Sequence, residues 1–164
     1  MVEKSENTKQ PLDPESGQFA IQKVYVKDVS FEVPHAPDIF RDEWNPAVNM
    51  QISNQARTLE GDLYDVVMTV TVTVTFGEKT VYLAEIHQAG IFHISGFPDE
   101  VVGRMLGTIC PNILFPFARE MVADLVTRGG FPQLLLAPVN FEALYMQQGK
   151  QQAKSSDHPP GVTH

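Results

Sequence analysis

The segment 63–90 constrains the fold of this chain more strongly than any other part of the sequence. Between residues 64 and 76, apolar residues occupy every second position, and threonine occupies most of the positions between them. Successive side chains of an extended strand leave on opposite faces, so this period of two predicts a long β-strand and not a helix. A glycine-containing turn at residues 77–79 leads into a second alternating run at residues 80–87. The segment is therefore predicted to be a β-hairpin with one fully apolar face, which another element must cover.

Two earlier segments alternate in the same way and are predicted to be strands. The first reads FAIQKVYVKDVSFEV, and in the second Val48, Met50 and Ile52 alternate with polar residues. Successive strands with short connections favour an antiparallel sheet. The predicted sheet has four antiparallel strands, near residues 19–33, 47–57, 63–76 and 79–89.

The period becomes helical after GIFHISGFP, a stretch that is predicted to leave the sheet. Between residues 101 and 125, apolar residues recur at the three- and four-residue spacing of a helix. Pro111 suits the first turn of a new helix segment, and Pro116 falls inside this run, so one long helix, broken or kinked between Ile109 and Pro116, is expected. A short C-terminal helix is predicted over residues 140–148, with Asn140 as its N-cap. The fold class predicted from these elements is α+β.

The two ends of the chain are polar and are predicted to be disordered. Residues 1–18 form the expected N-terminal arm, residues 19–148 the folded domain and residues 149–164 the C-terminal tail. The N-terminus has no apolar stretch of the kind found in signal peptides, and no apolar run approaches the ~20 residues of a membrane span. We therefore expect neither a signal peptide nor direct membrane insertion.

The charge balance restricts the classes of partner. The chain carries 12 lysines and arginines against 20 aspartates and glutamates, a net charge of −8. This charge argues against nucleic-acid binding, which requires an excess of lysine and arginine, and it repels an anionic membrane surface. The single cysteine, Cys110, cannot form an internal disulfide, so a reducing, cytoplasmic location is predicted.

Motifs that carry chemistry are absent from the sequence: there is no nucleotide-binding, zinc-protease or paired-cysteine pattern. Glu85 and His87 share one strand face and His93 follows, but a closed metal site usually needs three or four ligands, so solvated side chains explain them better. Cys110 has no neighbouring histidine or lysine, which favours a buried structural thiol. We predict no enzyme activity, no metal and no cofactor.

Apolar surface exceeds what one chain of this size can cover. Phe40, Trp44, Phe131 and the leucines at 134–136 lie in predicted loops, and the long sheet has two faces. Any single one of these residues is best explained as core. Their total indicates either an oligomer or a groove for apolar partners.

Six features occur together in the sequence: YVKDVSFEVPHAPDIF, the single Trp44, the VTVTVT strand, GIFHISGF, ICPNILFPFARE and RGGFPQLLLAPVNFEALY. Together they resemble the SecB family of bacterial protein-export chaperones, from about Phe19 to Met146. The resemblance implies a homotetramer, a dimer of dimers with helices between two eight-stranded sheets. It also implies a cytosolic, ATP-independent chaperone that binds unfolded preproteins, keeps them competent for translocation and delivers them to the SecA ATPase.

Three sets of site residues are predicted. The candidates for a client-binding groove are Phe31, Pro34, Trp44, Val48, Met50 and Ile52, with Phe115, Phe117 and Tyr145 as weaker candidates on the helix side. The resemblance implies an acidic patch on the outward sheet face that docks the basic, zinc-bearing tail of SecA, and the matching positions are Asp28, Glu32, Leu83 and Glu85. On the fourth strand, the residues of opposite parity fit a helix-side or subunit-contact role; they are Ala84, Ile86 and Gln88.

The C-terminal tail departs from the family pattern, in which tails are often acidic. It carries Lys150 and Lys154 against Asp157, so a contribution of the tail to SecA binding is left open. Two other functions remain as alternatives: a SecB-like chaperone dedicated to a toxin–antitoxin pair, and a binding protein for small hydrophobic ligands.

Overall fold

The computed structural model describes residues 16–43 and 45–156 and has an α+β architecture. A single antiparallel sheet contains four strands in the order β1-β4-β3-β2, so that β1 and β2 are its edges. The strands are β1 (Gln18–Glu32), β2 (Ala47–Thr58), β3 (Leu63–Phe76) and β4 (Lys79–Ser95). The helices are α1 (Asp99–Gly107), α2 (Ile109–Arg128) and α3 (Phe141–Ser156), and a short 3₁₀ helix covers Asp38–Arg41. The predicted four-stranded antiparallel sheet is confirmed.

The core lies between the sheet and α2, as the alternation in the central hairpin requires. Every second side chain of β3 is fully or almost fully buried: Val66, Met68, Val70, Val72 and Val74. The matching face of β4 and one side of α2 complete this core, and α2 lies across β3 and β4. The threonine face of β3 points away from the helices and is half-buried. One sheet face is thus covered by helices, and we call the other the outward face.

The long helical segment is broken at Thr108, just before the interval predicted for the break. Thr108 has φ −127° and ψ −65°, and its Oγ1 donates a hydrogen bond to the Arg104 carbonyl at 2.7 Å. Pro111 explains the position of the break, because a proline lacks an N–H and fits best in the first turn of a helix. α2 therefore begins at Ile109, two residues ahead of Pro111, and Pro116 is accommodated inside it.

Two predicted boundaries are wrong. β4 does not end near residue 89: residues 90–95 stay in the sheet, because Gly90 pairs with both Val24 of β1 and Val66 of β3. α3 continues to Ser156 instead of ending at residue 148, since glutamine, lysine and alanine are good helix formers and outweigh the single glycine there. Of the segments predicted to be disordered, residues 1–15 and 157–164 lie outside the described residues.

The segment Asp99–Arg128 is long and apolar enough, by length and composition alone, to cross a membrane. Its structure gives a different reason for that composition. The segment is interrupted at Thr108, and α2 buries Leu114, Ala118 and Val122 completely against the sheet. These are the properties of a core helix.

Asn140 caps α3 as predicted: its Oδ1 accepts a hydrogen bond from the Ala143 amide at 3.0 Å. Replacing Asn140 with alanine leaves that amide without its cap, which typically costs ~1 kcal/mol. We expect about fivefold faster amide exchange in the first turns of α3, measured by hydrogen–deuterium exchange, with the sheet unchanged. Asn140→Ser keeps an acceptor and serves as the control; equal exchange in both variants would show that the cap does not stabilise α3.

Candidate functional site

Four aromatic rings form a continuous cluster where the chain leaves α2 and returns across the sheet. The ring centroids of Phe31 and Tyr82 are 5.8 Å apart, those of Tyr82 and Phe131 4.8 Å, and those of Phe131 and Phe40 5.1 Å. Separations of this size are typical of favourable aromatic pairs. Phe31 and Tyr82 come from β1 and β4, Phe131 from the segment after α2 and Phe40 from the 3₁₀ helix, so four parts of the chain meet here.

Two depressions lie along the helix-facing side of β2. The one beside the aromatic cluster has a volume of about 150 Å³ and is lined among others by Val48, Tyr82, Phe131 and Leu134. Farther along β2 a smaller depression of about 30 Å³ is lined by residues that include Ile52 and Tyr145. β2 forms one wall of both depressions, and the segment after α2, with α3, forms the other. We call this feature the β2 groove.

Five of the predicted groove residues lie along this feature. Val48 and Ile52 line the two depressions, Met50 lies between them on the same face of β2, Phe31 belongs to the aromatic cluster and Tyr145 lines the far end. Val48 is half exposed, although it is an apolar residue on the covered side of the sheet. The groove is therefore open to an incoming apolar chain.

The other predicted groove residues lie elsewhere. Phe115, predicted as a groove residue on the helix side, is in the core instead. It is 4% exposed and packs on Phe141 with ring centroids 5.8 Å apart, because α2 turns it toward the interior. Phe117 is exposed but lies near β1, at the opposite edge of the sheet from β2. Pro34 is exposed in the turn after β1 and lines neither depression. Trp44 lies outside the described residues.

Sequence reasoning missed Tyr82, Phe131 and Leu134 as groove residues. For Tyr82 a signal existed, because Val48 pairs with Val74 and Val74 pairs with Tyr82, which places the three in one row across the sheet. For Phe131 and Leu134 there was no usable period, since they lie in an irregular segment that has neither strand nor helix structure. Only their apolar character was visible.

A larger cavity of about 460 Å³ lies between β1 and α2. Its apolar lining includes Val24, Val26, Phe117 and Met121. Gln88 also lines it and is 2% exposed; its Nε2 donates to the Tyr25 carbonyl at 3.0 Å, while its Oε1 has no hydrogen-bond partner among the described residues.

The three residues predicted for a helix-side or subunit-contact role are buried inside the single chain. Ala84 and Ile86 are 0% exposed, and both lie with Gln88 on the helix-facing side of β4. Of the two predicted roles, the helix-side role agrees with the position of these residues in the chain. A contact with another subunit stays a prediction, and the cavity beside β1 is the nearest open surface.

The predicted docking residues come together on the outward face. The strand register aligns Glu32 with Leu83, and it aligns Asp28 with His87, two residues along β4 from Glu85. Asp28 and Glu32 are exposed, and Leu83 and Glu85 are half-buried. We call Asp28, Glu32, Leu83 and Glu85 the outward patch.

The carboxylate of Glu85 is held by two neighbours on the outward face. Its Oε1 lies 2.8 Å from Nε2 of His87, and its Oε2 accepts a hydrogen bond from the Thr71 hydroxyl at 3.2 Å. These bonds, first that with His87 and then that with Thr71, lower the pKa of Glu85 because they favour the ionised carboxylate. The negative charge of the patch is therefore fixed in place.

A second polar cluster lies on the outward face, toward the opposite end of the strands. Asp65 is 3% exposed; it accepts hydrogen bonds from the Tyr25 hydroxyl at 2.7 Å and from Nε of Arg57 at 3.2 Å. The bond to Asp65 raises the pKa of Tyr25. Both carboxylate oxygens are thus satisfied, which explains how a buried charge is tolerated here.

Within residues 16–43 and 45–156, no three histidine, cysteine, aspartate or glutamate side chains converge on a common point. Cys110 is fully buried, and burial raises its pKa to about 12, so the thiol stays protonated at neutral pH. It is a structural thiol, as predicted.

Comparison with known families gives a match over almost the whole chain. The family described as "Preprotein translocase subunit SecB" matches residues 12–152. The chain is 54% identical to the "Protein-export protein SecB" of Nitrosococcus oceani over the full length of both proteins. It is 56% identical to the protein of the same description from Methylococcus capsulatus, over 88% of this chain and 90% of that one.

Among solved structures, the chain is similar to a SecB-like chaperone of Mycobacterium tuberculosis in complex with a ChAD peptide from an antitoxin. The TM-score is 0.63 at 17% sequence identity, and the match covers 74% of this chain and 90% of that one. At this identity the similarity concerns the fold alone. It agrees with the architecture of the sheet and helices described above.

Proposed function

This chain belongs to the SecB family of protein-export chaperones, and from that premise we propose that it binds unfolded preproteins in the β2 groove, keeps them competent for translocation and delivers them to the SecA ATPase. The observation that carries the proposal is the β2 groove itself, the two depressions beside the edge strand β2. A client segment would place its apolar side chains in the depressions that Val48 and Ile52 line. Burial of apolar surface is non-directional, so one groove accepts many sequences.

The edge of β2 supports the same proposal, because it lacks the usual protection of a sheet edge. Residues 47–56 contain no charged residue and no proline, and the register between β2 and β3 is uninterrupted. β1, the other edge, has two register shifts and carries Lys23, Lys27 and Asp28. An uncharged, regular edge is a template for pairing with another extended chain. We therefore propose that clients add main-chain hydrogen bonds along β2.

Such binding selects non-native chains. Extended apolar segments with free backbone groups are available in an unfolded preprotein and are hidden in a folded one. A chaperone that binds the unfolded state retards folding by mass action and needs no nucleotide. The structural neighbour from Mycobacterium tuberculosis was solved with a bound peptide, which is the same kind of ligand.

Delivery to SecA is assigned to the outward patch. Asp28, Glu32 and Glu85 are matched in charge to the basic tail that the family resemblance implies for SecA, and Leu83 adds an apolar contact among them. The patch and the β2 groove lie on opposite sheet faces. Docking and client binding would therefore proceed at the same time without competing for surface.

We also propose a homotetramer, a dimer of dimers, in the cytoplasm. Val101, Ile109 and Phe117 are 40–47% exposed on α1 and α2, and a second copy would remove this apolar surface from water. The cavity beside β1 would be filled in the same assembly, where the free Oε1 of Gln88 would gain a donor. The single cysteine suits a reducing compartment.

The test is the refolding of a slow-folding preprotein from denaturant. We expect refolding to stop at a near-stoichiometric ratio of tetramer to preprotein, without added nucleotide, because the unfolded state is held in the groove. An equal concentration of an unrelated acidic protein is the control. Refolding kinetics that are unchanged at a severalfold excess of this protein would overturn the proposal.

A further inference from the structure

Both oxygens of the Glu85 carboxylate are engaged within the sheet, although Glu85 lies on the outward face and its side chain is 40% exposed. Thr71 reaches it from the neighbouring strand β3, directly opposite in the register, and His87 reaches it from two residues along β4. An ionised carboxylate only accepts hydrogen bonds. The hydrogen between His87 and Glu85 is therefore carried by Nε2 of His87, and the Thr71 hydroxyl donates the other bond.

We propose that His87 and Thr71 are positioning residues for docking: they hold the Glu85 carboxylate in the orientation in which it meets a basic partner. The inference rests on the proposed role of the outward patch in SecA docking and adds two residues to it. Asp28 is fixed in a related way, since its Oδ1 accepts a hydrogen bond from the Val29 amide at 3.0 Å. The carboxylates of Asp28 and Glu85, which both lie next to His87, are thus restrained before a partner binds.

Restraint of a carboxylate favours ion pairing on an exposed face, because an unrestrained side chain loses conformational entropy when the ion pair forms. A long side chain loses rotamer freedom when it forms an ion pair, which is one reason why exposed ion pairs contribute so little to stability. Immobilising one such side chain on binding lowers the affinity by about twofold to twelvefold, so prior restraint of Glu85 avoids a loss of that size.

The direction in which SecA affinity changes when His87 is replaced distinguishes a positioning role from an effect of charge. The groups that face His87 are Glu85 on its own strand, Asp28 on β1 and Thr69 on β3. Removing an imidazole, which can carry a positive charge, leaves the patch at least as negative as before. By charge alone the substitution would leave a basic partner bound equally well or more tightly. Positioning predicts weaker binding.

The experiment measures the dissociation constant of the full-length chaperone with SecA at low ionic strength. We expect the Thr71→Val/His87→Ala double variant to weaken binding about twofold to twelvefold, and His87→Ala and Thr71→Val each to weaken it by a smaller factor. His87→Gln keeps an uncharged donor and should bind nearly as well as the unsubstituted protein. His93→Ala is the matched control, because His93 is on the same face of β4 but pairs with Leu63.

A second readout does not depend on SecA. The carboxyl pKa of Glu85, followed by NMR, should lie below the ordinary glutamate value and rise toward it in the Thr71→Val/His87→Ala double variant. An identical titration in both proteins would overturn the inference, because the two hydrogen bonds would then be absent in solution.

A Glu85→Lys variant in the same series distinguishes this inference from the proposed docking itself. If Glu85→Lys weakens SecA binding but His87→Ala and Thr71→Val leave it unchanged or tighten it, positioning is wrong and the docking patch stands. If Glu85→Lys has no effect, the docking assignment is wrong, and the positioning roles fail with it.

Discussion

Replacing Val48 with aspartate is expected to weaken the binding of an unfolded preprotein by more than tenfold and to leave the fold and the assembly unchanged. Val48 is half exposed on the edge strand and lines the larger depression of the β2 groove. A bound apolar segment would cover the new carboxylate and remove it from water, and none of the described residues that line this depression carries a positive charge. Burying an unpaired charge costs at least several kcal/mol, and each ~1.4 kcal/mol is a factor of ten in affinity.

Asn49→Asp is the matched control for this variant. Asn49 is the next residue of β2, is exposed and points to the outward face. The control therefore adds the same charge to the same strand, but on the sheet face opposite the groove. Affinity is measured with a labelled, denatured preprotein, and refolding arrest is measured in parallel. Equal losses in both variants would mean that the added charge acts through the strand and not through the groove. Undiminished binding by Val48→Asp would remove the groove from the mechanism.

The groove and the outward patch differ in how far the sequence could predict them. Strand parity assigned Val48, Met50 and Ile52 to one face, because a period of two carries that information directly. It also placed Asp28 with Glu32 and Leu83 with Glu85, and the register confirms that all four share the outward face. Parity does not tell which strands are neighbours in the sheet. The pairing of β1 with β4 brings Asp28 and Glu32 next to Leu83 and Glu85.

The opposite wall of the groove was beyond the reach of sequence patterns. The segment 131–140 forms neither a helix nor a strand, so its apolar residues have no period that would assign a face. Leu135 is 69% exposed whereas its neighbour Leu136 is 7% exposed, and nothing in the run of three leucines distinguishes them. Their positions are set by packing against the sheet, after α2 has fixed where the segment starts.

The break of the helix is an intermediate case. Proline positions predicted an interruption between Ile109 and Pro116, and the interruption occurs at Thr108. The prediction that Pro111 lies in the first turn of a new helix segment is correct, whereas Pro116 does not end the helix but lies inside α2. A proline in the first turn of a helix loses no hydrogen bond, because the N–H groups of that turn have no partner within the helix. The preceding helix must therefore end just before Pro111, so that Pro111 lies in the first turn of α2.

Glu85→Lys is expected to weaken SecA binding by more than tenfold at low ionic strength, with client capture unaffected. The substitution reverses a charge at the centre of the outward patch, and it places an ammonium group opposite the donors Thr71 and His87. Lysine has no acceptor, so neither hydrogen bond is replaced. The basic tail would then meet a repulsive contact where it had an attractive one, and like-charge contacts across an interface typically cost several kcal/mol.

Salt dependence makes this prediction specific to electrostatic docking. Exposed charges are screened over ~10 Å at 0.1 M ionic strength, so the difference between the unsubstituted protein and Glu85→Lys should shrink as salt is added. Client capture should change little over the same range, because apolar burial dominates it. Glu60→Lys is the control: Glu60 is exposed in the β2–β3 connection, so the change in net charge is identical but lies outside the patch. If Glu60→Lys weakens docking as much as Glu85→Lys does, SecA responds to the overall charge of the chaperone, and the outward patch is not its docking site.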